Sequence, residues 1–272
     1  MATIVILEHA LQRSLRLPYL VYGLAERWRR DGHRVIVHHG LDAPPAGDLA
    51  IVNIDLTVIP AAYRALYARY AKVLNGAVLD VSKRRYSLDL LDRYSDWVGA
   101  VIVKTDANFG GRPEALLRSV AVAEGSSCDI PAGPLAQGYP IYRSLREVPA
   151  AVWTTPGLIV ERFLPERDAR GDYYLRTWMF LGDRDRSTRW RATGPIVKAD
   201  NTLERVPAEV PDEIRAWRER LGFDFGKFDF VRHGERWVLL DVNRTPAYPP
   251  WVPGVPDPAL DTLAPGLRSY LG

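Results

Sequence analysis

The first 75 residues impose the strongest constraint on the fold, because apolar runs alternate with helical patterns across very short connections. TIVILEH ends in polar residues and is followed, past Pro18, by the helical pattern LVYGLAERWRRDGH and then by RVIVHH. That order reads as strand, helix, strand. The turn LDAPPAGD leads to the apolar run LAIVNID, a helix from about Pro60 to Tyr70 and a short strand in AKVLNG. Connections this short imply a small parallel α/β domain, because sequential elements joined so tightly become neighbours in space. Its ligand edge falls at the strand C-termini, near His9 to Arg13, His38 to Gly40 and Asn53 to Thr57.

The pattern changes downstream. AVLDVSKRR is followed by an expected helix around Leu88 to Trp97 and by the strand GAVIVKTD, which runs into the glycine-containing loop ANFGGRPE. Ala123 to Pro149 is rich in Gly, Pro and Ser and reads as a mobile loop region. The last third holds long strands of an antiparallel sheet: LIVERFL, YYLRTWMFLGD, RWRATGPIVKAD and KFDFVRHGERWVLLDVNRTP, with one helix within Pro211 to Leu221. From Ala247 on, repeated prolines imply an irregular tail and a short final helix.

Composition narrows the function classes. A chain of 272 residues that is 47% hydrophobic can bury one large core or two or three small ones. No stretch approaches the roughly 20 apolar residues of a membrane span, and MATIVILEHALQR carries an acid and a His where a signal peptide would need small residues. The expectation is a cytoplasmic protein. The single cysteine, Cys128, agrees with a reducing compartment and excludes a Cys-based zinc site. Net charge is +3, and the arginines are interleaved with acids and apolar residues, which reads as solvated faces rather than a nucleic-acid stripe.

The chemistry-bearing feature is a pair of apolar strands that contain acids, FDFV and WVLLDVN. Burying Asp229 and Asp241 without partners would cost several kcal/mol, so each needs a cation, a hydrogen-bond network or an exposed face. Asp241 and Asn243 lie two apart and share a strand face. If the hairpin loop is His233, Gly234 and Glu235, then Arg232 faces Arg236, Asp229 faces Leu239, and all three side-chain oxygens lie on one side. A two-residue loop without a bulge would separate them. Oxygen-only ligands with few carboxylates suit Mg²⁺ completed by nucleotide phosphates. A surface acid pair, or a salt bridge to Arg244, reads the same pattern without a metal.

With the segments before it, this hairpin resembles the C-terminal signature of the ATP-grasp superfamily, here FDF…LLDVNRTP, and the resemblance covers most of residues 72–246. It is similar to the carboxylate–amine ligases of the glutathione-synthetase and ribosomal-protein-S6-glutamate-ligase type. It implies an ATP-grasp fold of mixed α/β and α+β class: an N-terminal parallel domain over 1–75, a small nucleotide lobe over 76–155 and an antiparallel lobe with the metal site over 156–272. It also implies Mg²⁺, or Mn²⁺ in its place, on Asp229, Asp241 and Asn243. Three further segments follow in the family's order. VLNGAVLDVSKRR offers Lys83, GAVIVKTDANFGG offers Lys104 with a flap at Gly110 and Gly111, and LIVERFLPERD offers Glu161, Arg162 and Phe163 along the adenine, with Glu166 or Asp168 near the ribose. A lysine at a strand end projects charge into a cleft, and flap glycines let backbone N–H groups approach phosphate.

Arg176 in YLRTWMF, Lys198 and Arg191 on the next strand pair, and Arg244 beside the metal Asn are the candidates for contacting substrate or the transferred phosphate, each with an ordinary ion pair as its rival. The activity implied is ATP-dependent ligation of a small-molecule or peptide carboxylate to an amine, or to a thiol, through an acyl phosphate. A kinase acting on another acceptor, or a non-catalytic nucleotide module, shares these motifs. A homodimer is compatible with this reading, and neither a nucleic acid nor a membrane is called for. His9, Arg13 and Asp55 lie at the substrate edge as candidates for acceptor binding, where a capping or packing role is favoured about two to one.

Overall fold

Strand β1 (Thr3–Glu8) is apolar from Ile4 to Leu7 because both its faces are covered. A computed structural model describes residues 1–15, 17–136 and 138–271. In it β1, helix α1 (Leu20–Arg30), β2 (Arg34–His39), β3 (Leu49–Val52), the single turn α2 (Ala61–Arg64) and β4 (Val73–Leu74) follow one another as the alternation predicts. The sheet is parallel, in the order β2-β1-β3-β4. Ile4 and Ile6 pack towards Leu20, Leu24 and Trp28 of α1, while Val5 and Leu7 pack with Val52, Ile54 and Tyr63 on the other side. The helix expected over Pro60 to Tyr70 is reduced to α2 and a 3-10 turn at Tyr67–Arg69.

A small antiparallel sheet comes next, built from α3 (Lys83–Tyr86), β5 (Leu90–Leu91), β6 (Val101–Thr105), α4 (Arg112–Ala123), β7 (Ile141–Tyr142), α5 (Ala150–Thr154) and β8 (Leu158–Arg162). Its strand order is β5-β8-β6-β7. The helix expected around Leu88 to Trp97 does not form. Leu90 and Leu91 pair with β8 instead, and the Asp89 carbonyl accepts the Arg162 N–H at 2.9 Å, so sheet hydrogen bonds override local helical spacing. Helix α4 begins inside the segment read as the loop ANFGGRPE and runs on through residues for which no element was expected. Pro113 and Glu114 in its first turn are the start signals, and Leu117 and Ala121 pack onto the outer face of the first sheet. The described residues between α4 and β7 form no helix or strand, and Gln137 lies outside them.

The large sheet is antiparallel: β9 (Glu166–Arg167), β10 (Tyr173–Leu181), β11 (Arg184–Ala192), β12 (Glu204–Pro207), helix α6 (Asp212–Leu221), β13 (Phe225–His233) and β14 (Arg236–Asn243). Its order is β12-β11-β10-β13-β14, with β9 beside β10. Trp178, Phe180, Phe228 and Phe230 bury one face against Ile214 of α6. The strand expected through RWRATGPIVKAD stops at Ala192, where Gly194 and Pro195 cannot continue a ladder, so Lys198 sits in a turn with its N–H on Asn201.

The C-terminal helix α7 (Pro258–Leu263), capped by Asp257, returns to α1. Gly23 lets it close, because a Cβ there would lie 2.7 Å from Leu260 Cδ1, and the Trp28 indole donates to the Ala264 carbonyl at 3.0 Å. Among the described residues no helix is long and apolar enough to cross a membrane.

Candidate nucleotide and metal site

The face of the large sheet opposite α6 carries the acids. The β13–β14 hairpin closes on a two-residue loop, since His233 pairs with Arg236 and Arg232 with Trp237, which corrects the three-residue loop and the Arg232–Arg236 pairing expected above. A bulge at Leu240 takes the place of the odd loop. It shifts the register between Asp229 and Phe230, so that Asp229 lies directly opposite Asp241 and Lys227 opposite Asn243. All four therefore share one face.

Two carboxylates in directly opposed positions repel, and positive charge offsets them here. Lys227 Nζ lies 2.9 Å from Asp229 Oδ2, and Lys83 Nζ lies 3.5 Å from Asp241 Oδ1. Burial raises the Asp229 carboxyl pKa; Lys227 pulls it back and Asp241 adds to the rise. The Lys227 ammonium, opposed by burial, is held charged by Asp229 and Asp241. Asp229 Oδ1 is buried without a hydrogen-bond partner. Two carboxylates, one of them with an orphaned oxygen, and an amide oxygen fit a hard divalent cation such as Mg²⁺, which takes few protein ligands and fills its octahedron from water and phosphate. No cluster of three His, Cys, Asp or Glu side chains offers a rival site among the described residues.

The other lysines approach from the small sheet. Lys83 caps its position by donating to the Ala107 carbonyl at 2.9 Å, and Tyr86, one turn on, reaches Asp241 at 3.4 Å. Burial, Asp241 and Glu161 all hold the Tyr86 phenol protonated. Lys104 and Glu161 are both buried and paired at 2.7 Å, on neighbouring strands β6 and β8. Tyr139 belongs to the same ensemble: burial raises its pKa, and Asp241 and Asp229 add to the effect. Beyond the acidic face, Leu164, Val231 and Val238 form an apolar floor with Trp97, Leu175 and Leu240.

Other candidates lie elsewhere. Gly110 (φ 71°) and Gly111 (φ 77°) are buried at the start of α4, where a Cβ would meet Ala136 and the Pro134 carbonyl. The Phe163 N–H is taken by the Ala100 carbonyl, while the Arg162 guanidinium stacks 5.0 Å from the Trp97 ring. Glu166 pairs with Arg176 and accepts the Arg232 N–H, and Asp168 organises its own turn through Arg170, Asp172 and Tyr174.

Arg176 faces the wrong way for the role proposed from sequence. It pairs with Phe230 on the α6 side and stacks 5.0 Å from the Trp237 ring, whereas Thr177 stands opposite Asp229. Arg191 is spent on Asp172 and Glu204. Arg244 meets neither Asp229 nor Asp241. It is fully buried and donates to the carbonyls of Val78, Ile54 and Leu56, so it joins domains instead of contacting phosphate. His9 caps the 3-10 turn after β1. Lys227, Thr177, Tyr86 and Tyr139 were missed; Lys227 was within reach, since it precedes Asp229 by two residues on the same strand.

No family model matches the sequence, and no curated protein does. Solved structures match. The macrocyclase MdnC of Microcystis aeruginosa MRC, bound with precursor peptide MdnA, is 10% identical, covering 98% of this chain and 99% of that one at a TM-score of 0.55. A RimK domain ATP-grasp protein of Sphaerobacter thermophilus is 13% identical over 89% of this chain and 91% of its own, at 0.46. A RiPP-associated ATP-grasp ligase of Chryseobacterium gregarium, in complex with ADP and a leader and core peptide, is 11% identical over 90% and 89%, also at 0.46. The fold shared with MdnC is a parallel four-stranded sheet followed by antiparallel sheets.

Proposed function

We infer that this chain is an ATP-dependent ligase that phosphorylates a carboxylate and joins it to an amine, or to a thiol, releasing ADP and phosphate. One observation carries the reading: Asp229, Asp241 and Asn243 share a face with Lys227, and Asp229 Oδ1 is left without a partner. Asp229, Asp241 and Asn243 would hold Mg²⁺, which supplies charge neutralisation at the phosphates when bound. Lys83 and Lys227 bring positive charge to the same place, and Lys104, paired with Glu161 on the small sheet, is the further candidate for phosphate. The apolar floor at Leu164, Leu175 and Leu240 suits a flat base.

A substrate carboxylate oxygen attacks the γ-phosphorus, the bond to the β–γ bridging oxygen breaks, and ADP leaves. The acceptor nitrogen then attacks the acyl carbon; the bond to the phosphate oxygen breaks, and the amine proton leaves with phosphate or solvent. The residues bind, orient and neutralise; none needs to form a covalent bond. We place the reaction in the cytoplasm, where ATP is supplied.

The test is ADP release with a panel of amino acids, small peptides and amines, followed by product analysis. The macrocyclase of like fold holds a precursor peptide, so peptide carboxylates belong in the panel. A condensed product supports the ligase, whereas a stable phosphorylated product would establish a kinase instead. Asp241→Asn is expected to lower turnover by about 10²–10³-fold with the melting temperature kept. Lys104→Gln is best made together with Glu161→Gln, which replaces the buried ion pair by a neutral one. Full turnover in both variants would remove the site assignment.

A further inference from the structure

From the metal face a hydrogen-bonded chain leads into the N-terminal domain. Asn243 Oδ1 accepts the Thr245 N–H at 2.8 Å. An amide oxygen has two lone pairs, so one is left for a cation. The Thr245 hydroxyl stands 3.4 Å from the same oxygen and competes for that lone pair. It has a single proton to give. Asp55, just beyond β3, takes it: Thr245 Oγ1 donates to Asp55 Oδ1 at 2.5 Å. The Asp55 side chain is held from behind by the Tyr19 hydroxyl on Oδ2 at 2.8 Å, and its N–H donates to Gln12 at 3.0 Å. Asp55 and Thr245 are both buried, which limits the water available to replace either partner.

We propose that Asp55 is a positioning residue for the metal face: by engaging the Thr245 hydroxyl it keeps the second lone pair of Asn243 Oδ1 open for the cation. The proposal rests on reading Asp229, Asp241 and Asn243 as the ligand set. Without Asp55 the hydroxyl turns to Asn243, and a cation must first displace it. The N-terminal parallel sheet thereby conditions the ligand set on the large sheet.

Calorimetric titration of ADP with and without Mg²⁺ reads this without turnover. Asp55→Ala is expected to weaken the Mg²⁺-dependent part of ADP affinity by about 10–100-fold, the usual loss when a partner of a metal ligand is removed. Asp55→Asn keeps an acceptor for Thr245 and should stay near wild type. Thr245→Val alone should also keep the Mg²⁺ effect, and in the Asp55→Ala background it should restore most of what was lost, because no hydroxyl remains to compete. A purely structural Asp55 would make the double variant as poor as Asp55→Ala, and that result overturns the proposal. So does an unchanged Mg²⁺ effect in folded Asp55→Ala. Should Asp55→Ala fail to fold, Asp55→Leu fills the volume without an acceptor and serves the same comparison. If wild-type ADP binding ignores Mg²⁺, or Asp241→Asn leaves its Mg²⁺ effect intact, the ligand assignment fails and takes the proposal with it; a failure confined to the Asp55 variants leaves that assignment standing.

Discussion

On β10 the difference between neighbouring residues is a whole face. Arg176 lies among the aromatic side chains under α6, and Thr177 lies opposite Asp229. Lys227, by the same parity, shares the face of Asp229, Asp241 and Asn243. Lys227→Met is therefore expected to lower kcat by about 10²-fold, as loss of a preorganised charge does. Arg176→Gln should leave kcat within about twofold while costing about 2–4 kcal/mol in denaturant unfolding, because Glu166 loses its buried partner. Comparable losses of kcat in both would contradict the assignment of faces. Asp55 adds a pH signature. Burial pushes its carboxyl up to about 6. The unfolded carboxyl titrates near about 3.9, so between those values the folded chain keeps a proton that the unfolded chain has released, and stability falls as the pH rises. The full shift corresponds to about 3 kcal/mol. In Asp55→Asn that loss is absent, so its melting temperature should gain on wild type as the pH rises from about 4 to about 6 and hold a constant lead above that. A lead independent of pH would show that Asp55 titrates normally.

Two elements owe their form to interactions that a local pattern does not contain. The β13–β14 hairpin has Gly234 at φ 59° in a two-residue loop, and the bulge at Leu240 decides that Asp241 faces Asp229. Alternation along either strand is legible from sequence, but the offset between strands depends on how the loop and the bulge share one extra residue. At the start of α4, Phe109, Gly110 and Gly111 all have positive φ. At Gly111 a Cβ would come 2.9 Å from the Pro134 carbonyl, a backbone atom that cannot swing aside. Gly111→Ala should destabilise the chain by about 1–2 kcal/mol in thermal or denaturant melts, since an L side chain pays for the left-handed conformation and for the contact. An unchanged melt would mean that this turn relaxes freely.

At the scale of the molecule, Arg244 is the largest charged group placed wholly inside among the described residues, and its guanidinium serves the joint between the large sheet and the segments at Ile54, Leu56 and Val78. Burial lowers its pKa to about 10, so it stays charged at neutral pH. Arg244→Met would strand those carbonyls, each at about 1–3 kcal/mol, and is expected to lower stability by several kcal/mol in urea titration. Loss of turnover without loss of stability would instead return Arg244 to the phosphate.

The amino-acid sequence by itself determined the succession β1, α1, β2, β3, the apolar faces of β1 and the spacing of Asp241 and Asn243, because each follows from periods of a few residues along one chain. It also carried motifs in an order that resembles the ATP-grasp signature. Only the tertiary structure decided which strands pair and in what register, and with them the side to which Arg176 points, the partners that occupy Arg244 and the place of Lys227 beside Asp229. Those outcomes depend on residues far apart in sequence. The helical spacing of Leu88 to Trp97 yields to a sheet edge for the same reason: a ladder with β8 satisfies backbone groups that an isolated short helix would leave to water.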